Sequence, residues 1–205
     1  NLEYFALPGL TWVYRGSRLC VQVMPRGTVI STRGNGIYAD ADLLGFDLGF
    51  LNSSATDYLI KLTLGRNDHP QFDIGDINTI PVPTVSPELV REMTALARRG
   101  WSVKRTLDTI NETSHAFLLP TVLRTRLGDY VPAAINAEII QIQNEIDDIA
   151  FDLYCFSEAD RVAVQASQGT TSDDDSEASA GVDGDDEDSF TPVDQTAGLL
   201  SWAVG

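Results

Sequence analysis

From residue 87 onward the apolar positions fall into a helical rhythm. Leu89, Met93, Leu96, Val103, Leu107 and Ile110 step by four and three, with Gly100 in the one missing slot. That spacing predicts a helix with a single apolar stripe, bent or interrupted at Gly100. Ile135, Ile139, Ile142, Ile146, Ile149 and Leu153 repeat the pattern as a heptad seam. A connection over 111–133 with a polar start, Asn111-Glu112-Thr113-Ser114, joins the two. Two such seams predict an antiparallel helical hairpin; the other arrangement packs each stripe on a globular part.

The first 39 residues have a shorter period. Thr11–Tyr14, Leu19–Met24 and Thr28–Thr32 are predicted strands, separated by turns at Arg15-Gly16-Ser17 and Pro25-Arg26-Gly27. Arg33-Gly34-Asn35-Gly36 is a further turn, with glycines available for positive φ. Leu43–Leu51 and Thr56–Leu64 are predicted helices, with Asn52-Ser53-Ser54 ending one and capping the next.

Between the two regimes lies Phe72–Pro83, FDIGDINTIPVP. Its β-branched Ile74, Ile77, Ile80 and Val82 predict a short strand. Pro81 and Pro83 restrict it to an edge or an extended exit. Ser86-Pro87-Glu88 then starts a helix, with Ser86 as N-cap, Pro87 at the first helical position and Glu88 at the positive end of the dipole.

The expected fold class is α/β (α+β). An α/β unit over 1–85 precedes a helical spacer over 86–165. An acidic disordered linker over 166–190 follows, and 191–205 begins a further unit. Gln168–Ser189 is rich in Ser, Gly, Asp and Glu and has too little apolar content to fold. The start without Met and the final apolar LLSWAVG lead us to expect a fragment of a longer protein.

Charge alters this picture locally. The chain has 30 acidic and 14 basic residues, a net charge of −16. Ten of the acids lie at or after Asp173, where there is no Lys or Arg, so 20 acids face 14 bases before it. In the first 36 residues Arg15, Arg18, Arg26 and Arg33 stand against Glu3 alone. A locally basic face on an acidic protein is compatible with a polyanion partner. Cys20 and Cys155 share no motif and point to a reducing, cytoplasmic setting. No apolar run approaches membrane-spanning length.

Catalytic patterns are missing. His69 and His115 have no carboxylate or cysteine at ligand spacing. There is no nucleophile elbow and no Walker loop. Gly34-Asn35-Gly36-Ile37-Tyr38-Ala39 matches a loose dinucleotide fingerprint, yet the region beyond it, LNSSATD, is not the strand that such a site needs. Asp147 and Asp148 do not form a carboxylate dyad on a helix face.

Several phrases in order carry a resemblance. FDIGDINTIPVP followed by a helix resembles the end of target recognition domains in restriction–modification proteins. PRGTVISTRGNGIYA and LLGFDLGFLNSSATDYLIKL resemble the segment before that end. EIDDIAFDLYCFSEADR resembles the closing helix, and RTLDTINETSHAFLLP and LLSWAVG are similar to further phrases. The nearest group is the adenine-specific DNA methyltransferases of BREX phage-defence systems (PglX type). The resemblance implies a small domain that meets the major groove and a helical arm that sets spacing. It also implies a parent enzyme that transfers a methyl group from S-adenosylmethionine to adenine N6 after flipping the base. The glycine-rich cofactor motif and the Asn-Pro-Pro-Tyr motif are absent from these residues, so no cofactor is expected here. The expected partners are double-stranded DNA, a catalytic domain in the same parent chain and other defence-system proteins, with no membrane.

Reading DNA requires cations for phosphates and forked side chains for base edges. Arg15, Arg18, Arg33 and Asn35, on or beside turns, and Arg66 and Asn67, in the loop before residue 72, are the candidate DNA-binding residues. Arg33 and Asn35 are the expected base readers. Two other classes compete: a non-catalytic helical interaction or dimerisation module, and an acidic DNA mimic. A free-standing enzyme has no site to rest on.

Overall fold

The computed structural model describes residues 4, 6–30, 34–65, 70–128 and 130–169. Among them the chain has a mixed α+β fold that is mostly helical, with seven helices and one two-stranded antiparallel sheet. No helix among the described residues is long and apolar enough to cross a membrane.

Strands β1 (Gly9–Trp12) and β2 (Val21–Met24) pair in register, Gly9 opposite Met24 and Trp12 opposite Val21. Leu10, Trp12, Val21 and Met24 are buried. The other edge of β1 is taken by Ile37, whose N–H and C=O both bond Leu10, at 2.9 and 3.0 Å. A Cβ at Gly9 would run into the Ile37 carbonyl, so this close approach needs glycine. Beyond β2, Gly27 (φ 91°) closes the turn in which Thr28 N–H bonds Pro25 C=O at 3.4 Å.

Helix α1 (Ala41–Leu51) ends at Asn52, whose carboxamide clamps two elements. It accepts from Val21 N–H at 2.9 Å, and donates to Val21 C=O at 2.9 Å and Leu48 C=O at 2.8 Å. Helix α2 (Ser54–Leu64) starts from Ser53, which accepts from Thr56 N–H at 3.3 Å. Helix α4 (Pro87–Asp108) begins where Ser86 Oγ accepts from Leu89 N–H at 3.2 Å. Pro120 precedes helix α5 (Thr121–Leu127), and Gly128 ends it in the left-handed region at φ 77°. Helix α6 (Pro132–Leu153) is followed by α7 (Glu158–Gly169), which starts from a reciprocal pair: Ser157 N–H donates to Asp160 at 2.8 Å and Asp160 N–H donates to Ser157 Oγ at 3.4 Å. The second of these bonds is long.

The expected strand over Phe72–Pro83 is not one. Phe72 is fully buried, and residues Ile74–Ile77 form a single helical turn, α3. The cause is local. Asp76 folds back to accept from Asp73 N–H at 2.9 Å, and Thr79 Oγ1 donates to Asp76 C=O at 2.6 Å. Ile74, Ile77 and Ile80 are spaced by three, a helical spacing rather than the period of two that a strand requires. Beyond this turn residues 81–86 belong to no helix or strand, and Tyr154 Oη donates to Pro81 C=O at 2.9 Å. The expected strand at Thr28–Thr32 is likewise absent from 28–30, and Ser31 and Thr32 lie outside the described residues. Ile37 occupies the sheet edge instead.

The chain divides into two compact units, one formed by residues up to Arg99 with those from Ile142, the other by Gly100–Gln141. In the first unit Phe50, Phe72, Leu19, Ile60, Met93 and Val164 are fully buried. Here α1 and the start of α4 meet closely at two glycines. A Cβ at Gly49 would lie 2.6 Å from Met93 Sδ, and one at Gly45 would collide with Thr94 Cγ2. Ala55, Ala150, Phe151 and Val164 join α2, α6 and α7 in one apolar cluster. In the second unit, Leu118 and Leu119 N–H both reach Thr109 C=O, at 2.8 and 3.3 Å, closing the turn after α4. Tyr130 is buried with the Arg124 guanidinium 5.7 Å from its ring centre.

Candidate functional site

The loop from Val13 to Cys20 connects the strands, and it is tied at both ends. Tyr14 C=O accepts from Phe72 N–H at 2.8 Å, and Gly16 N–H donates to Pro70 C=O at 3.4 Å. Between these bonds Arg15 forms a bridge with Gln71, while Tyr14 Oη reaches Gln71 Oε1 at 3.1 Å. Trp12 Nε1 donates to Phe72 C=O at 2.9 Å. Farther along, Leu19 is buried and its N–H bonds the carboxylate of Asp57 at 3.2 Å. Asp57 is itself buried and pairs with Lys61 at 2.9 Å. Asn52 then holds both backbone groups of Val21.

On this fixed loop Arg15 and Arg18 are exposed. Neither forms an ion pair with a described residue. Asn35 is half-buried beside β1, where its C=O accepts from Thr11 Oγ1 at 2.8 Å. Its carboxamide makes no hydrogen bond with a described residue. Because Ile37 bridges Leu10 antiparallel, Asn35 falls near Trp12, at the end of the hairpin that leads into the 13–20 loop. Arg15, Arg18 and Asn35 therefore share one end of the sheet. Arg26 lies on the turn after β2, at the opposite end. Arg33, Arg66 and Asn67 lie outside the described residues.

The side chains that position this loop were not anticipated. Asn52 appeared only as a helix breaker, and Asp57 and Gln71 were not singled out. The one signal for Asp57 is its place in the first turn of a predicted helix, four residues before Lys61, the spacing of an ion pair on one helix face. Asp57 finds its partners in Leu19 N–H and Lys61.

Carboxylates elsewhere serve a helix cap and ion pairs. Asp147 accepts from Ser54 N–H at 2.7 Å and Ser54 Oγ at 2.8 Å, and Gln143 supports it at 3.0 Å. Arg161 joins Asp148 at 3.1 Å and Asp152 at 2.6 Å while its guanidinium sits 5.0 Å from the Phe151 ring centre. Among the described residues no group of three or more His, Cys, Asp or Glu is placed to hold a metal ion. The arrangement that remains is a hydrogen-bonded loop presenting two cations and, beside it, a carboxamide with no hydrogen-bond partner among the described residues. It can contact anions and hydrogen-bonding edges. No family model matches the chain, and no curated protein matches it.

Proposed function

We propose that this chain is the DNA sequence-recognition part of an adenine-N6 DNA methyltransferase of a restriction–modification or phage-defence system, acting in the cytoplasm. Duplex DNA is its partner. Catalysis and S-adenosylmethionine belong to a domain of the parent protein. The helices α4 and α6 serve as a hairpin spacer that sets the distance between the two. Arg15 and Arg18 take phosphates, Arg33 and Asn35 read base edges, and Arg66 and Asn67 add further contacts.

One observation supports this reading most: Arg15 and Arg18 stand exposed, with no ion pair to a described residue, on a loop held by backbone hydrogen bonds. A loop whose backbone is already held by hydrogen bonds adds little backbone-ordering cost when its side chains meet a phosphate. Replacing both with Ala is expected to weaken binding to duplex DNA and to reduce the salt slope by about two. Binding curves over a range of salt concentrations measure this. The same affinity and slope in the double variant remove both residues from the interface.

A helical interaction module is the second reading. It is favoured by Leu127, Val131 and Ile140, which are all exposed in the 100–141 unit. Sedimentation of the protein alone separates the two readings, because self-association through that unit needs no DNA.

A further inference from the structure

The acid-free stretch of α4 has a composition that the 13–20 loop does not explain. Between Glu92 and Asp108 the chain holds Arg98, Arg99, Lys104 and Arg105 and no acid, in a protein of net charge −16. Arg98 is already engaged by Asp42 at 3.3 Å. Lys104 and Arg105 are exposed, and neither forms an ion pair with a described residue. Trp101 precedes them by three and four positions, so all three share a helix face. Its indole is 46% exposed, and the Arg105 guanidinium lies 5.4 Å from the ring centre. That contact restricts Arg105 and holds its charge beside an aromatic surface.

We propose that Trp101, Lys104 and Arg105 form a contact for single-stranded nucleic acid, with the cations on phosphates and the indole stacked on an unpaired base. The pairing of cations with an exposed ring decides the class of ligand. A closed duplex has its base faces already stacked, so the indole finds a partner only where a base is unpaired. An acidic peptide satisfies the cations and leaves the indole without a role. The contact uses no residue of the 13–20 loop, and the proposal does not rest on duplex binding there.

Fluorescence anisotropy of the whole chain with labelled oligothymidylate and oligouridylate tests this. Trp101→Ala is expected to weaken binding about tenfold, while Trp101→Phe retains most of it. Lys104→Ala with Arg105→Ala should flatten the salt slope by about 1.4. All these positions are exposed or on the helix surface, and circular dichroism verifies that each variant keeps its helix. The Arg15→Ala, Arg18→Ala variant should bind oligothymidylate as the parent does, whatever happens to its duplex binding. Tighter binding of either oligomer supports the site, and oligodeoxyuridylate then separates the effect of the sugar from that of the thymine methyl group. Four results overturn the proposal: no binding by the parent chain, unchanged affinity in Trp101→Ala, loss of oligomer binding in the Arg15, Arg18 variant, or displacement by poly-glutamate as effective as by unlabelled oligothymidylate. The last would assign the face to an acidic protein.

Discussion

Cys155 is held in the left-handed region at φ 54°, where an L-residue with a Cβ is strained. Its surroundings show why the chain accepts this. Phe156 N–H bonds Phe151 C=O at 2.9 Å and Cys155 N–H bonds Asp152 C=O at 3.0 Å, the two hydrogen bonds of a Schellman end to α6. The matching apolar contact is present as well, with the rings of Phe151 and Phe156 stacked 5.8 Å apart. The cysteine side chain is exposed, so replacing it removes little packing. Cys155→Gly is expected to stabilise the fold by about 0.5 kcal/mol, the relief of strain being partly offset by the greater freedom of glycine in the unfolded chain. Cys155→Val is expected to cost about 1 kcal/mol or more, because a β-branched side chain fits this backbone worst. Urea midpoints of the three proteins order them. If valine is tolerated as well as cysteine, the strain at this position is not real.

At the scale of elements, long-range polar contacts decide how helices sit where apolar stripes do not. Asp147 of α6 receives Ser54 N–H and Oγ at the start of α2, across 93 positions of sequence. Removing it leaves that half-buried N–H without its acceptor. Asp147→Ala should therefore cost about 1–3 kcal/mol, and Asp147→Asn less, since the amide oxygen still accepts. Equal stability of the alanine variant in denaturant titration would show that water takes over the role. This contact explains part of what the sequence made legible and what it hid. The boundaries of α1, α2 and α4 could be read closely, because Asn52, Ser53, Ser86 and Pro87 act on their immediate neighbours. The face that α6 buries could be read only in part. Ile142 and Ile146 lie on the expected seam, yet Ala150 and Phe151 are buried beside them. A helix packed against a globular surface follows that surface and not a strict heptad. At Ile74–Ile77 the β-branched composition points to a strand, and only the spacing by three points to a helical turn. At the candidate site Arg15 and Arg18 were visible as isolated cations between strands. Their support by Asp57, Asn52 and Gln71 depends on contacts 31 to 60 positions apart, which no local pattern encodes.

For the whole molecule, the uneven charge sets a test of how it approaches DNA. The formal charge is −16, and ten of the 30 acids lie beyond residue 169, where there is no base. A chain ending at Gly169 keeps all seven helices of the described residues, with 20 acidic against 14 basic residues. It retains every residue of the 13–20 loop and of α4, where the nucleic-acid contacts are proposed. The truncation therefore changes the long-range field and leaves the short-range chemistry in place. Like charge slows encounter with a polyanion, and screening removes that effect once the Debye length falls to a few ångströms. The shortened chain is expected to associate with DNA up to roughly tenfold faster at low salt, with the difference fading at high salt and the dissociation rate little changed. Stopped-flow association at a series of salt concentrations distinguishes the outcomes. A faster rate that persists at high salt points to steric blocking by residues 170–205, not to their charge. A loss of binding shows that those residues take part in the complex, and the division between a DNA-contacting body and an acidic extension then fails.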